Sequence, residues 1–359
     1  MAVYTTIDDS SVYFQVSPLY SGGSGAVTVT FDGNSDLQLD LLWAKCRSTA
    51  HSHAFMDTQR ITSGDYLPVF GDTTDTEQTG YTDELNSIGS DTYVVGDQPH
   101  SGASGKTYMG YAWKANGGSS SASAGESGSN VAYNFQVNTT SKFMINAYTG
   151  LGSDATLNLG NHLTPEFLMI KNLDQADPWV VYHHKNTAYP WTDYLVLNTD
   201  AATADDQEMW EDTVFAADEI NIGTNHDVNA DGEKYICYAW AGVQGYSKFG
   251  GYTGNGNADG PFIYTGFSPA FIIFRRTDSS GHWIMKDNKR NTYNPATNYM
   301  YVDAADVDAT PSFNIDFLSN GVKLRGSDAQ FNADDGNFVY AAWAQNPFVT
   351  SGGVPATAR

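Results

Sequence analysis

Positive charge is scarce in this chain. Only 18 Lys and Arg stand against 41 Asp and Glu in 359 residues, a net charge of −23. A field of that sign repels phosphate backbones and anionic lipid heads, which argues against nucleic acid and membrane surfaces as partners. It suits solubility in a salty medium that screens self-repulsion. Charged residues of both signs reach only 16%, well under the roughly one quarter usual in soluble domains, so few helices are expected to face solvent. Cysteine is nearly absent. Cys46 and Cys237 sit at different places in the repeat described below, imply no shared bridge, and read as small core residues. No apolar run approaches the roughly 18 residues of a membrane helix. The opening MAVYTTIDDSSVYF has neither the basic nor the apolar region of a signal peptide. The expectation is assembly in a cytoplasm without export by the Sec route. Nucleophile elbows, H-E-x-x-H, Walker loops and G-x-G-x-x-G after a strand are also missing, so a non-enzymatic protein is expected.

Glycine and aromatics are plentiful: 35 Gly, 22 Tyr and 18 Phe. That mixture suits strands and turns. Internal repetition is visible directly. TYMGYAWKA (Thr107–Ala115), KYICYAWAG (Lys234–Gly242) and NFVYAAWAQ (Asn337–Gln345) fall in register on Trp113, Trp240 and Trp343. Each is preceded by an apolar block with a basic or amide end: DLLWAKCRS (Asp40–Ser48), EFLMIKNLD (Glu166–Asp174) and AFIIFRRTD (Ala270–Asp278). A third block follows soon after: HAFMDTQR from His53, WVVYHHK from Trp179 and HWIMKDNKR from His282. A fourth opens the later copies, AYTGLGSDATLNL from Ala147 and GYTGNGNADGPFIY from Gly251. Copy one has a weaker counterpart, LYSGGSGAVTVTF from Leu19.

The spacing predicts an all-β fold of three tandem β-sandwich repeats. The boundaries are 1–115 for the first repeat, 116–142 for a Gly/Ser-rich linker, 143–245 and 246–348 for the second and third, and 349–359 for a tail. The linker would free the first repeat as an attachment module, while repeats two and three, joined directly, should pack rigidly. In Tyr235–Trp240 both alternation faces are apolar or small. Such a strand is covered on both sides, either centrally or against a neighbouring unit. Asp205–Ala216 is the best candidate for a short helix.

Few motifs suggest chemistry. His51 and His53 have the spacing of two metal ligands on one strand face, but further ligands are not apparent and a polar strand is the plainer reading. His183 and His184 would point to opposite faces of a strand. Asp227, Asn229 and Asp231 match the first half of a D-x-N-x-D-G calcium loop, with Tyr238 where the bidentate Glu belongs. A plain hairpin turn competes with calcium there. Asp205–Asp206 and Asp334–Asp335 read as solvated turns. Trp179, Trp191, Trp210 and Trp283 lie near turns or strand starts, where core packing competes with a platform for sugars or a subunit interface.

The third copy, from GYSKFGGYTGNGNADGPFIYTGFSPAFIIFRRTDSSGHWIMKDNKRNTYNP through IDFLSNGVKLRG to FVYAAWAQNPF, resembles a repeat family of virion proteins from marine tailed bacteriophages. The opening TTIDDSSVYFQVSPLYSGG and FDGNSDLQLDLLWAK are similar to its N-terminal form. The resemblance implies concanavalin-like or jelly-roll sandwiches and a structural role on the exterior of a virion. A tail fibre or tail-associated appendage leads, with capsid decoration, a head fibre or a carbohydrate-binding adhesin for host surface glycan as alternatives. Other virion proteins and further copies of the chain are the partners implied. It carries no catalytic motif and no cofactor.

Overall fold

The computed structural model describes residues 4–116, 122–124, 130–159, 162–216, 218–310 and 312–357. The chain is all-β, and every ladder between named strands is antiparallel. In module one the main strands of the larger sheet are β1 (Phe14–Val16), β2 (Leu41–Cys46), β3 (Ala54–Asp57), β4 (Val69–Phe70) and β5 (Thr107–Trp113), with the two-residue strand Tyr20–Ser21 also paired to β5. Module two has β6 (Ala132–Asn138), β7 (Phe143–Thr149), β8 (Phe167–Asn172), β9 (Val180–His183), β10 (Asp193–Val196) and β11 (Lys234–Trp240). Module three has β12 (Ser247–Thr253), β13 (Phe267–Arg276), β14 (Ile284–Asp287), β15 (Met300–Tyr301) and β16 (Asn337–Pro347).

The same strand order recurs three times: β1-β5-β2-β3-β4, β7-β11-β8-β9-β10 and β12-β16-β13-β14-β15. The strand ending the module in sequence, which carries the tryptophan, lies second in each of these orders and is paired on both sides. A smaller sheet or hairpin covers one face of each. It is built on Val27–Thr30 and Thr92–Val95 in module one, Ala155–Asn158 and Glu219–Ile222 in module two, and Ile315–Leu318 and Gly321–Leu324 in module three.

The two apolar faces of the tryptophan strands now have separate destinations. Tyr235, Cys237 and Ala239 of β11 face a core private to module two. Ile236, Tyr238 and Trp240 face a core shared by all three modules. β5 and β16 divide likewise, with Ala112 and Ala342 on private cores and Met109, Tyr111, Trp113, Val339, Ala341 and Trp343 on the shared one. The three axial indoles meet one another edge to face. Ring centroids are 5.9 Å apart for Trp113–Trp240, 5.2 Å for Trp113–Trp343 and 5.7 Å for Trp240–Trp343. Each such ring buries about 150–250 Å², on the order of 4–6 kcal/mol at about 25 cal/mol per Å². The modules therefore close around a pseudo-threefold axis. They do not form a line of units, and module one is no freer than the others.

The fourth sequence block has a steric cause. A Cβ on Gly22, Gly150 or Gly254 would lie 2.1–2.2 Å from the carbonyl oxygen of Ala103, Ala230 or Ala333, so only glycine fits. The preceding Tyr20, Tyr148 and Tyr252 stack on Tyr108, Tyr235 and Phe338 of the tryptophan strands. Module one thus keeps the same joint despite its weaker sequence.

Three expectations need correcting. The span 116–142 is not all linker, because Ala122–Ala124 and β6 add strands to the outer edge of β7; residues 117–121 and 125–129 lie outside the described residues. Asp205–Ala216 does hold a short helix, α1 (Gln207–Trp210), but it covers only one turn of the span and ends at Glu211 with φ 59°. His184 lies just past the end of β9, so the two histidines do not alternate across one strand. Comparable single turns are α2 (His226–Asn229) and α3 (Ala329–Asn332), each entered through an Asn or Asp cap.

Candidate functional site

Much buried polar chemistry lies where modules meet, and there it repeats with the axis. Glu77, Thr203 and Asp308 each donate a backbone N–H to the carbonyl of Leu173, Thr277 and Arg47, every bond at 3.0 Å. The contacts run from module one to two, two to three and three to one, which is a closed cycle of heterologous joints. A second ring of contacts starts at the residue before each third strand. Trp179 Nε1 donates to Phe70 O at 2.7 Å, and Trp283 Nε1 donates to Val196 O at 2.8 Å. At the corresponding place in module one stands His53. Its Nδ1 accepts from Trp43 Nε1 at 2.9 Å, so its Nε2 carries the proton and meets Tyr301 O at 2.8 Å.

The third ring lies two residues before the axial tryptophans. Tyr238 Oη donates to Asp57 at 2.6 Å, while Arg60 donates to Asp57 and to Glu77, both at 2.7 Å. At the opposite boundary Tyr111 Oη donates to Asp287 at 3.0 Å, and Arg290 bonds Asp287 and Asp308. Burial opposes the charge on Arg60 and Arg290, yet Asp57 and Asp287 outweigh it and hold both guanidinium groups above their ordinary range. Ala341 takes the tyrosine position in module three and offers no hydroxyl. There the pair is neutral: His183 Nε2 reaches Tyr340 O at 3.1 Å and Asn186 accepts from Thr203 Oγ1 at 2.6 Å. Burial, with nearby His184, pushes the His183 imidazole down to about 3. Within this ring, two of the three positions hold a charged pair and one does not. These groups are largely buried, and they fix the rotation of one module on the next.

Module two also carries an open polar cluster. His226 at the start of α2 lies with Nδ1 3.3 Å from Asp177 Oδ1 and 3.2 Å from Asp227 Oδ1. Among the described residues this is the one group of three His, Cys, Asp or Glu side chains whose ligand atoms converge as a metal site would require. Asn172 Nδ2 donates to Asp177 at 2.7 Å and to Glu233 at 2.5 Å, which fixes the carboxylates from behind. Burial raises the Asp227 carboxyl to about 6, with His226 opposing and Asp177 adding to the rise. The nearby Asp177 carboxylate, more than any other group, raises His226.

The calcium reading of Asp227, Asn229 and Asp231 fares differently. Those residues span α2 and its exit. Asn229 is buried and committed to structure, accepting from Leu151 N at 2.8 Å and donating to Ser153 O and Gly223 O. Asp231 is exposed. The three side chains are not gathered on one ion.

The remaining expectations sort quickly. His51 packs beside His100 while His53 turns into the module boundary, so they share no ligand site. His183 and His184 both reach module three, through Tyr340 O and Phe249 O. Asp206 caps α1, and Asp334 and Asp335 form an exposed turn. Trp179, Trp210 and Trp283 are buried, and only Trp191 is partly open. Cys46 and Cys237 are free and buried. More open are Tyr189 and Tyr293, and also Phe262 and Tyr264, which lie in a groove between modules two and three lined also by Glu166, His184 and Lys248. The boundary rings were missed in sequence, although Asp57-x-x-Arg60 and Asp287-x-x-Arg290 repeat at equal places.

No curated protein matches the chain. One family does, over residues 9–347, a span that crosses all three modules. The chain therefore belongs to the family described as a domain of unknown function, DUF7483.

Proposed function

We propose that this protein is a structural component on the exterior of a bacteriophage virion, most simply a tail fibre or tail-associated appendage, and that it acts by packing against other virion proteins and further copies of itself. The observation that carries the reading is the closed ring of modules. Their inner faces are spent on one another, leaving a rigid, strongly acidic body whose outer sheets and edges are the surfaces left for partners. The sequence resemblance supports the same role. Assembly would take place in the host cytoplasm, and no enzymatic step is part of the reading. Mass spectrometry of purified particles, followed by cryo-electron microscopy of the intact virion, tests it. Density for the three-module body on tail or capsid is expected; absence of the protein from pure virions would refute it.

A second reading, a carbohydrate-binding adhesin, is favoured by the groove at modules two and three. Phe262 and Tyr264 are half exposed there, with Lys248 5.1 Å from the Tyr264 ring. Aromatic faces beside charged groups can stack sugars. A glycan array would show binding lost in Tyr264→Ala; an array without binding removes this alternative.

A further inference from the structure

We infer that Asp177, His226 and Asp227 form a binding site for one divalent transition-metal ion, of the kind zinc exemplifies. The inference is independent of the assembly role. Three observations point to it. First, the spacing fits. Two ligands about 2.1 Å from one ion and subtending about 100° stand about 3.2 Å apart, and the His226 Nδ1 distances to the two carboxylates are 3.2 and 3.3 Å. A charge-assisted hydrogen bond would draw them to about 2.7–2.9 Å. Second, Asp227 is only 9% exposed and its Oδ1, aimed at His226, has no hydrogen-bond partner. A buried carboxylate oxygen without a donor is costly, and an ion would satisfy it. Third, Asn172 holds the other oxygen of Asp177, as outer-shell groups orient metal ligands.

The donor set selects the class of ion. Imidazole with two carboxylates suits zinc and its neighbours, whereas calcium takes six to eight oxygens. The His226 side chain is 71% exposed, so an ion can enter and keep water on its remaining positions. Lys171 lies close enough to both aspartates to oppose the ion, which argues for moderate affinity. Bound there, the ion would tie α2 to the loop leading into Trp179, and so to the boundary with module one.

The test uses the full chain stripped with EDTA and titrated with ZnCl2 in a calorimeter. One ion per chain is expected, with at least tenfold weaker binding in His226→Gln and in Asp227→Asn. Asp334→Asn, in an exposed acidic turn elsewhere, should leave the isotherm unchanged. Millimolar CaCl2 should not displace the zinc. No saturable binding, equal binding by His226→Gln, or displacement by calcium would each overturn the site. His226 is exposed, so its variant should fold even if Asp227→Asn does not; circular dichroism checks both.

Discussion

Replacing Arg290 by Met should be among the most damaging single changes in this protein. The guanidinium neutralises Asp287 and reaches Asp308 in a sealed boundary. Removing it strands a buried carboxylate, at a cost of about 3–5 kcal/mol. Tyr111→Phe leaves Arg290 in place and loses one hydrogen bond to Asp287, so about 1–2 kcal/mol is expected. Urea midpoints of the two variants measure the difference, and equal losses would contradict the reading. The buried histidines give a pH prediction. Burial holds His53 well below its ordinary value and His183 at about 3, while the unfolded chain titrates both near 6.5. Below 6.5 the unfolded state binds the extra protons, so stability falls with pH at up to roughly 1.4 kcal/mol per unit for each histidine. It is fully present above 6.5. Asp227, raised to about 6, works in the opposite direction between 6 and about 4 and offsets part of the loss. Urea midpoints between pH 7.5 and 5 should decline; a flat profile would contradict the assignment.

At the scale of elements, the joint between the YTG turn and the last strand is the recurring unit. Asn332 donates to Asn257 O and Gly326 O and accepts from Asn255 N, as Asn229 does with its own neighbours. Asn332→Ala and Asn229→Ala should each cost about 2 kcal/mol by leaving buried carbonyls unpaired, read as matching drops in thermal midpoint. A loss in only one would break the equivalence of modules two and three. Much of this level was legible in the amino-acid sequence. The tryptophan strands declared themselves by two apolar faces, and the glycines of the YTG blocks by recurrence. What they touch was not legible. The second apolar face could have met a lid within its own module. It meets two other modules, because burying Trp113, Trp240 and Trp343 together removes more surface than burying each alone. The third block shows the same limit. Alignment by letters set His53 against Trp179 and His282, but the spatial partner is Trp283, one residue later. His53 and the two tryptophans correspond because each projects a planar ring with one N–H toward a carbonyl of the neighbouring module. The Asp–His cluster was hidden for a similar reason. Asp227 was visible, but Asp177 comes from a loop 50 residues earlier and His226 from the turn of α2.

For the molecule as a whole, the shared core makes the modules interdependent. Trp343 touches Trp113 and Trp240 as well as Phe14, Phe167, Phe249 and Phe271, drawn from all three modules. Trp343→Ala should therefore cost about 3–5 kcal/mol and lower the stability of the entire chain. A linear repeat array could instead lose one unit at a time. Scanning calorimetry of the intact wild-type chain separates the two possibilities most directly. The closed ring predicts a single transition with calorimetric and van't Hoff enthalpies in agreement; two or three resolved transitions, with module one melting apart from the rest, would contradict it.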